Sequence, residues 1–459
     1  MDKDLLKKYA SLAVNTGVNI QKDNILVITS PIETAEFARL IAEEAYKAGA
    51  KDVIVHYGDQ KLTKIKLENS SLETIADYPA WMAESYNSYA RQGACFISIS
   101  ANDPDGLKGV SVEKIGTSQK ARTSALKEYY DNSMSNKCRW CVLSVPTLSW
   151  AKKVFPNVSD EEAMENLWNV IFKTVRVDTE NPVTAWEKHN AYLDEKVKFM
   201  NDNNFKSVHL KSSNGTDLNI ELPEGHLWAG GSDDDVNGVF FNANMPTEEV
   251  FTLPKKTGVN GIVYSSKPLS YGGNLIDNFS ITFKDGKAVD FTAETGYDVL
   301  KQMLDSDEGA KYLGEVAFVP YDSPISNSKL IFFNTLFDEN AACHLAFGRA
   351  YESCVKDADK SRECYEKAAE LNSLYYNTKY SLSIHFNSDY GVMEYGGTEI
   401  YTPNDIDLTL ARLFATNLSK IVGYSKNPNF KLEDGVYYNL KFENEYKAKM
   451  EWKGVSENA

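Results

Sequence analysis

The spacing of apolar residues predicts alternating strands and helices in the first part of the chain. Residues 2–16 place Leu6, Tyr9 and Leu12 at helical spacing, which predicts an amphipathic helix. The run "DNILVITSP" predicts a strand, and "IETAEFARLIAEEAYKAGA" predicts a second helix that ends near a glycine. Two more strand-like runs follow, "KDVIVHYGD" and "GACFISISAN". This alternation predicts βαβ units and a parallel sheet. No G-x-G-x-x-G follows the first strand, so we expect no dinucleotide site.

The pattern changes twice further along the chain. Residues 120–205 are predicted to be helical, and "SDEEAMENLWNVIFKTV" starts with Ser159 followed by Glu162, a capping box. After residue 205, apolar and polar positions alternate around Asn214-Gly215 and Asp285-Gly286, which predicts β-hairpins. We therefore predict an α/β N-terminal domain over 1–205 and a mixed α+β, β-rich C-terminal catalytic domain over 206–459.

Composition limits the function classes. The chain has 459 residues and a formal net charge of −16, which argues against a nucleic-acid partner because a phosphate backbone needs a basic face. We recognise no secretory segment and no apolar run of the roughly 18–20 residues that cross a bilayer, so we expect a cytoplasmic protein without a membrane partner. Cys138 and Cys141 form a C-x-x-C without a second pair at zinc spacing, and we expect reduced thiols.

One acidic stretch imitates a calcium loop. Its side chains at loop positions 1, 3, 5 and 6 fit the motif, and these are Asp233, Asp235, Asn237 and Gly238. The twelfth position, which should be a bidentate glutamate, is Asn244. A strand-like run follows instead of a helix. We therefore predict a tight polar turn here.

Several carboxylates and histidines stand in apolar surroundings. Glu248 and Glu249 lie in "NMPTEEVFT", Glu315 in "YLGEVAFVP", His344 in "ENAACHLAFGRAY" and His385 in "SLSIHFNSDYG". Taken singly, the two adjacent glutamates are explained as solvated charges, and His344 as a core histidine. A buried carboxylate without a partner is costly, however. Together these residues form a ligand set that suits zinc, manganese or cobalt.

Long segments of the chain resemble the M29 family of metalloaminopeptidases, of the aminopeptidase T and aminopeptidase S type. They include "AYKAGAKDVIVHYGDQ", "RWCVLSVPTLSWAKKVFP", "LGEVAFVPYDSPISNS" and "NTLFDENAACHLAFGRAY". The resemblance implies two divalent metal ions held by two glutamates, two histidines and an aspartate, with a tyrosine nearby. It assigns the ligand roles to Glu249, with Glu248 as the alternative, and to Glu315, His344 and His385. The tyrosine matches Tyr351.

The last ligand segment departs from the family pattern. The family has H-x-D there, whereas this chain reads His385-Phe386-Asn387. Asn387 takes the aspartate's place without its charge, and Asp389 is the alternative ligand if the strand bulges. In a regular strand 385, 387 and 389 share one face.

The resemblance implies an aminopeptidase that releases N-terminal residues from small peptides, working as a homodimer. Two zinc, cobalt or manganese ions would activate a shared water. Glu248 would carry the proton, and Tyr351 would donate a hydrogen bond to the oxyanion. Two alternatives stay open. One is a catalytically degenerate relative that serves as a binding or scaffold protein. The other is a sugar- or nucleotide-binding protein that uses the N-terminal sheet.

Overall fold

The computed structural model divides into two compact units, Met1–Ala358 and Asp359–Ala459. It describes residues 2–356 in full. In the second unit it describes the backbone of residues 383–387, 397–403, 430–433, 436–439 and 447–452. Within the described residues, no helix combines the length and the apolar character needed to cross a bilayer.

The helices of the described residues fall mainly in the first half of the chain. They are α1 (Lys3–Leu12), α2 (Ala35–Lys47), α3 (Gln60–Asn69), α4 (Leu72–Ala76), α5 (Ala80–Arg91), α6 (Val112–Ala125), α7 (Lys127–Met134), α8 (Leu148–Val154), α9 (Asp160–Thr174), α10 (Pro182–Asn203), α11 (Tyr297–Leu304), α12 (Pro324–Ser328) and α13 (Thr335–Asp338).

The strands dominate after α10. They are β1 (Ile25–Pro31), β2 (Asp52–Gly58), β3 (Cys95–Ile99), β4 (Trp140–Leu143), β5 (Ser207–Lys211), β6 (Asp217–Glu221), β7 (Ala229–Gly230), β8 (Asp233–Asp234), β9 (Phe240–Phe241), β10 (Asn244–Met245), β11 (Val250–Thr252), β12 (Val259–Tyr264), β13 (Leu269–Tyr271), β14 (Asn274–Lys284), β15 (Lys287–Thr295), β16 (Leu313–Phe318), β17 (His344–Phe347), β18 (Ser383–Asn387), β19 (Gly397–Pro403), β20 (Phe430–Glu433), β21 (Val436–Asn439) and β22 (Lys447–Trp452).

The first sheet has the order β10-β4-β3-β1-β2. β1 pairs in parallel with β2 and β3, and β3 pairs in parallel with β4. Leu26, Val27 and Ile28 of the interior strand β1 are fully buried. Such burial on both faces is typical of parallel sheets covered by helices. The predicted parallel sheet is confirmed.

The helical prediction over 120–205 is correct for the end of α6 and for α7, α8, α9 and α10, and it is wrong in one place. Ser159 caps α9 as predicted, because its side chain accepts the Glu162 N–H at 3.1 Å. Residues 140–143, however, form the strand β4. The run "WCVL" is short and apolar, and the sheet edge beside β3 decides its conformation. Local spacing alone does not distinguish such a strand from a buried helical turn.

An antiparallel sheet of β13, β14, β12, β6 and β5, with β15 paired to β14, follows α10. Both predicted hairpins are present. Asp285 and Gly286 join β14 to β15 with φ angles of 48° and 81°. A two-residue turn with both φ angles positive matches the twist of the flanking strands, which is why Asp-Gly is favoured there.

The first unit continues through residue 205. Asn244–Met245 pairs with β4 of the N-terminal sheet, and Phe332 and Phe337 belong to the core around that sheet. The division into domains over 1–205 and 206–459 stays a prediction. The change from helices to strands near residue 205 is observed.

Candidate metal centre

Three strands of a four-stranded antiparallel sheet, β17-β16-β11-β7, carry three predicted ligands. Glu249 immediately precedes β11, Glu315 lies in β16, and His344 begins β17. The register aligns Phe251 with Ala317, and Ala317 with His344. Side chains alternate between the faces of a strand, so Glu315, Ala317 and His344 share one face. Strand register thus brings together ligands that are remote in the sequence.

The opposite face of this sheet is packed into the core. Val250 and Val316 are buried, and Phe318 stacks on Trp228 with ring centroids 5.3 Å apart. Close packing of this kind leaves little room for movement. It therefore fixes the strands that present the ligands.

The three ligand groups converge. His344 Nε2 lies 2.8 Å from Glu249 Oε2 and 3.5 Å from Glu315 Oε1. One ligand atom from each residue lies within 4.8 Å of the other two. A tight set of one imidazole and two carboxylates is what borderline divalent cations prefer.

The imidazole of His344 is oriented for metal binding. Its Nδ1 lies 3.2 Å from the Ala342 carbonyl oxygen, to which it donates, so Nε2 points at the carboxylates. Burial by itself would lower the pKa of His344, but hydrogen bonds and charge from Glu249 and Glu315 raise it well above its ordinary value. The two carboxylates therefore favour a proton on Nε2 when no metal is bound. A divalent cation would replace it, while Nδ1–H keeps its carbonyl partner.

A second observation supports the fit of a cation. Glu249 Oε2 is buried and forms no well-aligned hydrogen bond with the described residues; His344 Nε2 contacts it as an ion pair at 2.8 Å. Two carboxylates, Glu249 buried and Glu315 half-buried, carry more negative charge than one protonated imidazole offsets, and a divalent cation would balance it. The side chains present therefore fit a divalent metal ion.

Sequence reasoning missed Glu339. This residue begins a short 3-10 turn after α13, and its half-buried side chain is close enough to the cluster to feel its charges. Burial, and then the charges of Glu249 and Glu315, raise the pKa of Glu339 to about 8. Like charges that share a buried site repel each other in this way. The available signal was an acidic residue five positions before His344 in an apolar run.

Tyr351 also belongs to this region. Burial, followed by the charges of Glu315, Glu249 and Glu339, raises the pKa of its phenol. The phenol therefore keeps its proton and can donate a hydrogen bond. Its ring packs against Phe251 with centroids 5.6 Å apart.

Glu248 points elsewhere. Its Oε1 accepts a hydrogen bond from Arg176 Nη2 at 2.8 Å, and its Oε2 lies 3.7 Å from His189 Nε2. Burial raises the pKa of Glu248, and the Arg176 charge partly offsets this. The role of Glu248 as proton carrier stays a prediction.

A cavity of about 860 Å³ adjoins the cluster, and His344 and Glu339 line one side of it. This volume is in the range of small-molecule sites. Much of the remaining wall is apolar. It is formed by Leu210, Val263, Leu269, Phe279, Ile281, Phe283, Met303, Leu345 and Phe347.

The side chains of the remaining predicted ligands lie outside the described part of the structure. His385 and Asn387 lie in β18 of the second unit, where only the backbone is described, and Asp389 lies outside the described residues. Their roles stay predictions.

The acidic stretch at 233–238 is a turn, as predicted. Asp235 Oδ1 accepts the N–H groups of Asn237 and Val239, and its other oxygen pairs with buried Arg139. Asp233 and Phe241 pair across the short hairpin of β8 and β9. These side-chain oxygens serve the turn and the ion pair.

An α/β fold with such a cluster beside a cavity is typical of a metallohydrolase. The family described as thermophilic metalloprotease (M29) matches residues 2–377. The aminopeptidase AmpS of Bacillus subtilis is 49% identical over 346 residues, which are 75% of this chain and 84% of that protein. Aminopeptidase T of Thermus thermophilus is 43% identical over 369 residues, which are 80% of this chain and 90% of that protein.

A solved structure agrees. Wild-type AmpT from Thermus thermophilus superimposes with a TM-score of 0.72 at 42% identity, over 79% of this chain and 89% of that one. The chain therefore belongs to the M29 family of metallopeptidases, and the resemblance seen in the sequence is confirmed. The family match ends at residue 377, before His385, Asn387 and Asp389.

Proposed function

We propose that this chain is an aminopeptidase that uses two divalent ions, zinc, cobalt or manganese, to release N-terminal residues from small peptides. The observation that carries the proposal is the convergence of Glu249, Glu315 and His344, whose ligand atoms lie within 4.8 Å of one another. The named relatives are aminopeptidases, which supports action at the peptide N-terminus.

The ligand roles follow from the geometry and from the resemblance. Glu249, Glu315 and His344 would hold the first ion, and Glu339, whose charge is opposed by its neighbours, would join them as a further carboxylate ligand. The resemblance adds His385, with Asn387 or Asp389, for the second ion. When bound, the ions supply a water of lowered pKa and polarise the scissile carbonyl.

The other residues of the site have separate tasks. The protonated Tyr351 would donate a hydrogen bond to the oxyanion as it develops. The acidic cluster attracts the free α-amine of a peptide. The apolar wall of the adjoining cavity suits an apolar substrate side chain. Glu248, which pairs with Arg176, would carry the proton.

The degenerate binding protein is not favoured, because three converging ligands are retained. The sugar- or nucleotide-binding alternative has no support from the family match. A cytoplasmic homodimer remains part of the proposal. The buried free thiols of Cys95, Cys138 and Cys141 fit a reducing compartment, and light scattering of the purified protein measures the subunit number.

The test uses metal-stripped protein, titrated with cobalt, zinc or manganese, and leucine p-nitroanilide as substrate. We expect metal-dependent hydrolysis, no hydrolysis of the N-acetylated substrate, and loss of activity in Glu315→Gln. The matched control is Glu294→Gln, an exposed strand glutamate outside the site. Metal analysis of His385→Ala should show one ion fewer per chain. No bound metal and no hydrolysis in the wild type would refute the proposal, and unchanged metal content in His385→Ala would remove that residue from the site.

A further inference from the structure

A buried polar network lies next to the ligand Glu249, and the chemistry described above gives no role to the histidine at its centre. Its centre is His189 of α10, which is 8% exposed. His189 belongs to the buried stripe of that helix together with Trp186, Asn190 and Leu193. Trp186 meets the His189 ring edge-on, and the Arg176 guanidinium lies over the Trp186 ring. The network is therefore enclosed by packing.

The hydrogen bonds fix the tautomer of His189. Its Nε2 lies 2.7 Å from the Thr247 carbonyl oxygen, and a carbonyl only accepts, so Nε2 carries the proton. Its Nδ1 is then free to accept from Arg176 Nη2, which lies 3.0 Å away. The same Nη2 donates to Glu248 Oε1. His189 thus connects a guanidinium to the backbone of the ligand segment.

Asn340 contacts this segment from the opposite direction. Its Oδ1 accepts the Glu248 backbone N–H at 2.7 Å, and its Nδ2 donates to the Leu336 carbonyl oxygen at 3.1 Å. The side chain is fully buried. Asn340 directly follows Glu339. Its side-chain amide therefore links the chain segment of Glu339 to the segment of Glu248 and Glu249.

Three hydrogen bonds therefore hold the two residues that precede Glu249. His189 binds the Thr247 carbonyl oxygen, and Glu248 is bound at its backbone N–H and at its carboxylate. We propose that His189 and Asn340 are positioning residues, which hold the Thr247–Glu248 backbone so that Glu249 and Glu339 face the metal centre. This inference rests on the proposed function, since it concerns the same site. Groups that support metal ligands in this way typically change metal affinity or activity about 10- to 100-fold when removed.

The test compares two replacements of His189. Phe keeps the ring and its packing but removes both hydrogen bonds, whereas the Gln amide can still donate to the Thr247 carbonyl. We expect cobalt binding to metal-stripped His189→Phe to weaken by about tenfold or more, with kcat falling similarly and KM changing less than about threefold. In His189→Gln, cobalt affinity and kcat should stay within about threefold of the wild-type values, which would not be expected if His189 only filled space. His209→Phe and His209→Gln, at an exposed histidine on β5, are matched controls.

A second pair keeps the test independent of folding defects. Asn340→Asp retains the acceptor for the Glu248 N–H, and Asn340→Leu does not. If His189→Phe fails to fold, a stronger loss of cobalt affinity in Asn340→Leu than in Asn340→Asp still supports the proposal. Wild-type cobalt affinity in folded His189→Phe, or His189→Gln as impaired as His189→Phe, would overturn it. A wild type that neither binds cobalt nor hydrolyses peptides would instead overturn the proposed function.

Discussion

The imidazole of His344 and the carboxylate of Glu249 face each other at 2.8 Å, although their strands are not neighbours in the sheet. β16 lies between β17 and β11. On β16, Ala317 is aligned with His344 on one side and with Phe251, two residues after Glu249, on the other, and it is small and fully buried. A larger side chain at that position would fill the space beneath the ligands.

The first prediction therefore concerns Ala317. We expect Ala317→Leu to separate the ligand groups, to weaken cobalt binding and to lower peptidase activity at least about tenfold, because overpacking a well-packed site typically costs about 1–3 kcal/mol. Ala317→Ser adds only one atom and should stay close to the wild type. Titration of metal-stripped protein with cobalt measures the difference. Equal affinity in both variants would contradict this interpretation of the register.

The second prediction concerns Glu339. Its raised pKa reflects repulsion from Glu249 and Glu315 as well as burial, so Glu339→Gln should not destabilise the metal-free protein. We expect the same variant to bind fewer than the wild-type number of divalent ions, because a ligand is lost. Metal analysis and thermal unfolding with and without cobalt test both parts. Unchanged metal content and affinity would exclude Glu339 as a ligand.

The third prediction concerns Tyr351. Tyr351→Phe removes one hydroxyl and keeps the ring that packs on Phe251. We expect kcat to fall about 10- to 1,000-fold, as when an oxyanion donor is lost, with KM and cobalt affinity nearly unchanged. Steady-state kinetics and metal titration separate these quantities. A loss confined to KM would assign the phenol to substrate binding instead.

The fourth prediction concerns pH and stability. Burial, followed by the Arg176 charge, lowers the pKa of His189 to about 4, below its ordinary value of 6.5. The unfolded chain therefore takes up a proton at higher pH than the folded chain. The stability that the neutral, buried His189 contributes is therefore complete above pH 6.5. It is lost progressively as the pH falls towards 4, and the free energy of unfolding should decrease by about 2–3 kcal/mol at pH 4.5.

Urea unfolding of wild type and His189→Gln at pH 7 and pH 4.5 measures this effect. The wild type should lose more unfolding free energy than the variant over this interval, because glutamine does not titrate. Parallel losses in the two proteins would mean that His189 is not buried in its neutral form.

Much of the local structure could be predicted from the sequence because it depends on neighbours along the chain. The capping serine of α9 and the Asp285-Gly286 hairpin need only residues a few positions apart. The family match confirms the resemblance, which pointed to Glu315 and His344 and preferred Glu249 to Glu248. In the structure, Glu249, Glu315 and His344 lie close together. The strand β4 was missed because pairing with β3 decides its conformation.

What only the tertiary structure decided is where adjacent acidic side chains point. Glu248 and Glu249 are chemically equal and consecutive, yet one pairs with Arg176 and the other meets His344. Neighbouring residues of an extended chain project to opposite sides, and the pairing of β11 with β16 decides which side faces the ligands. Glu339 joins the cluster through a turn whose place depends on the packing around it. The sequence thus determined the types of ligand available, whereas long-range register and burial determined which of them meet.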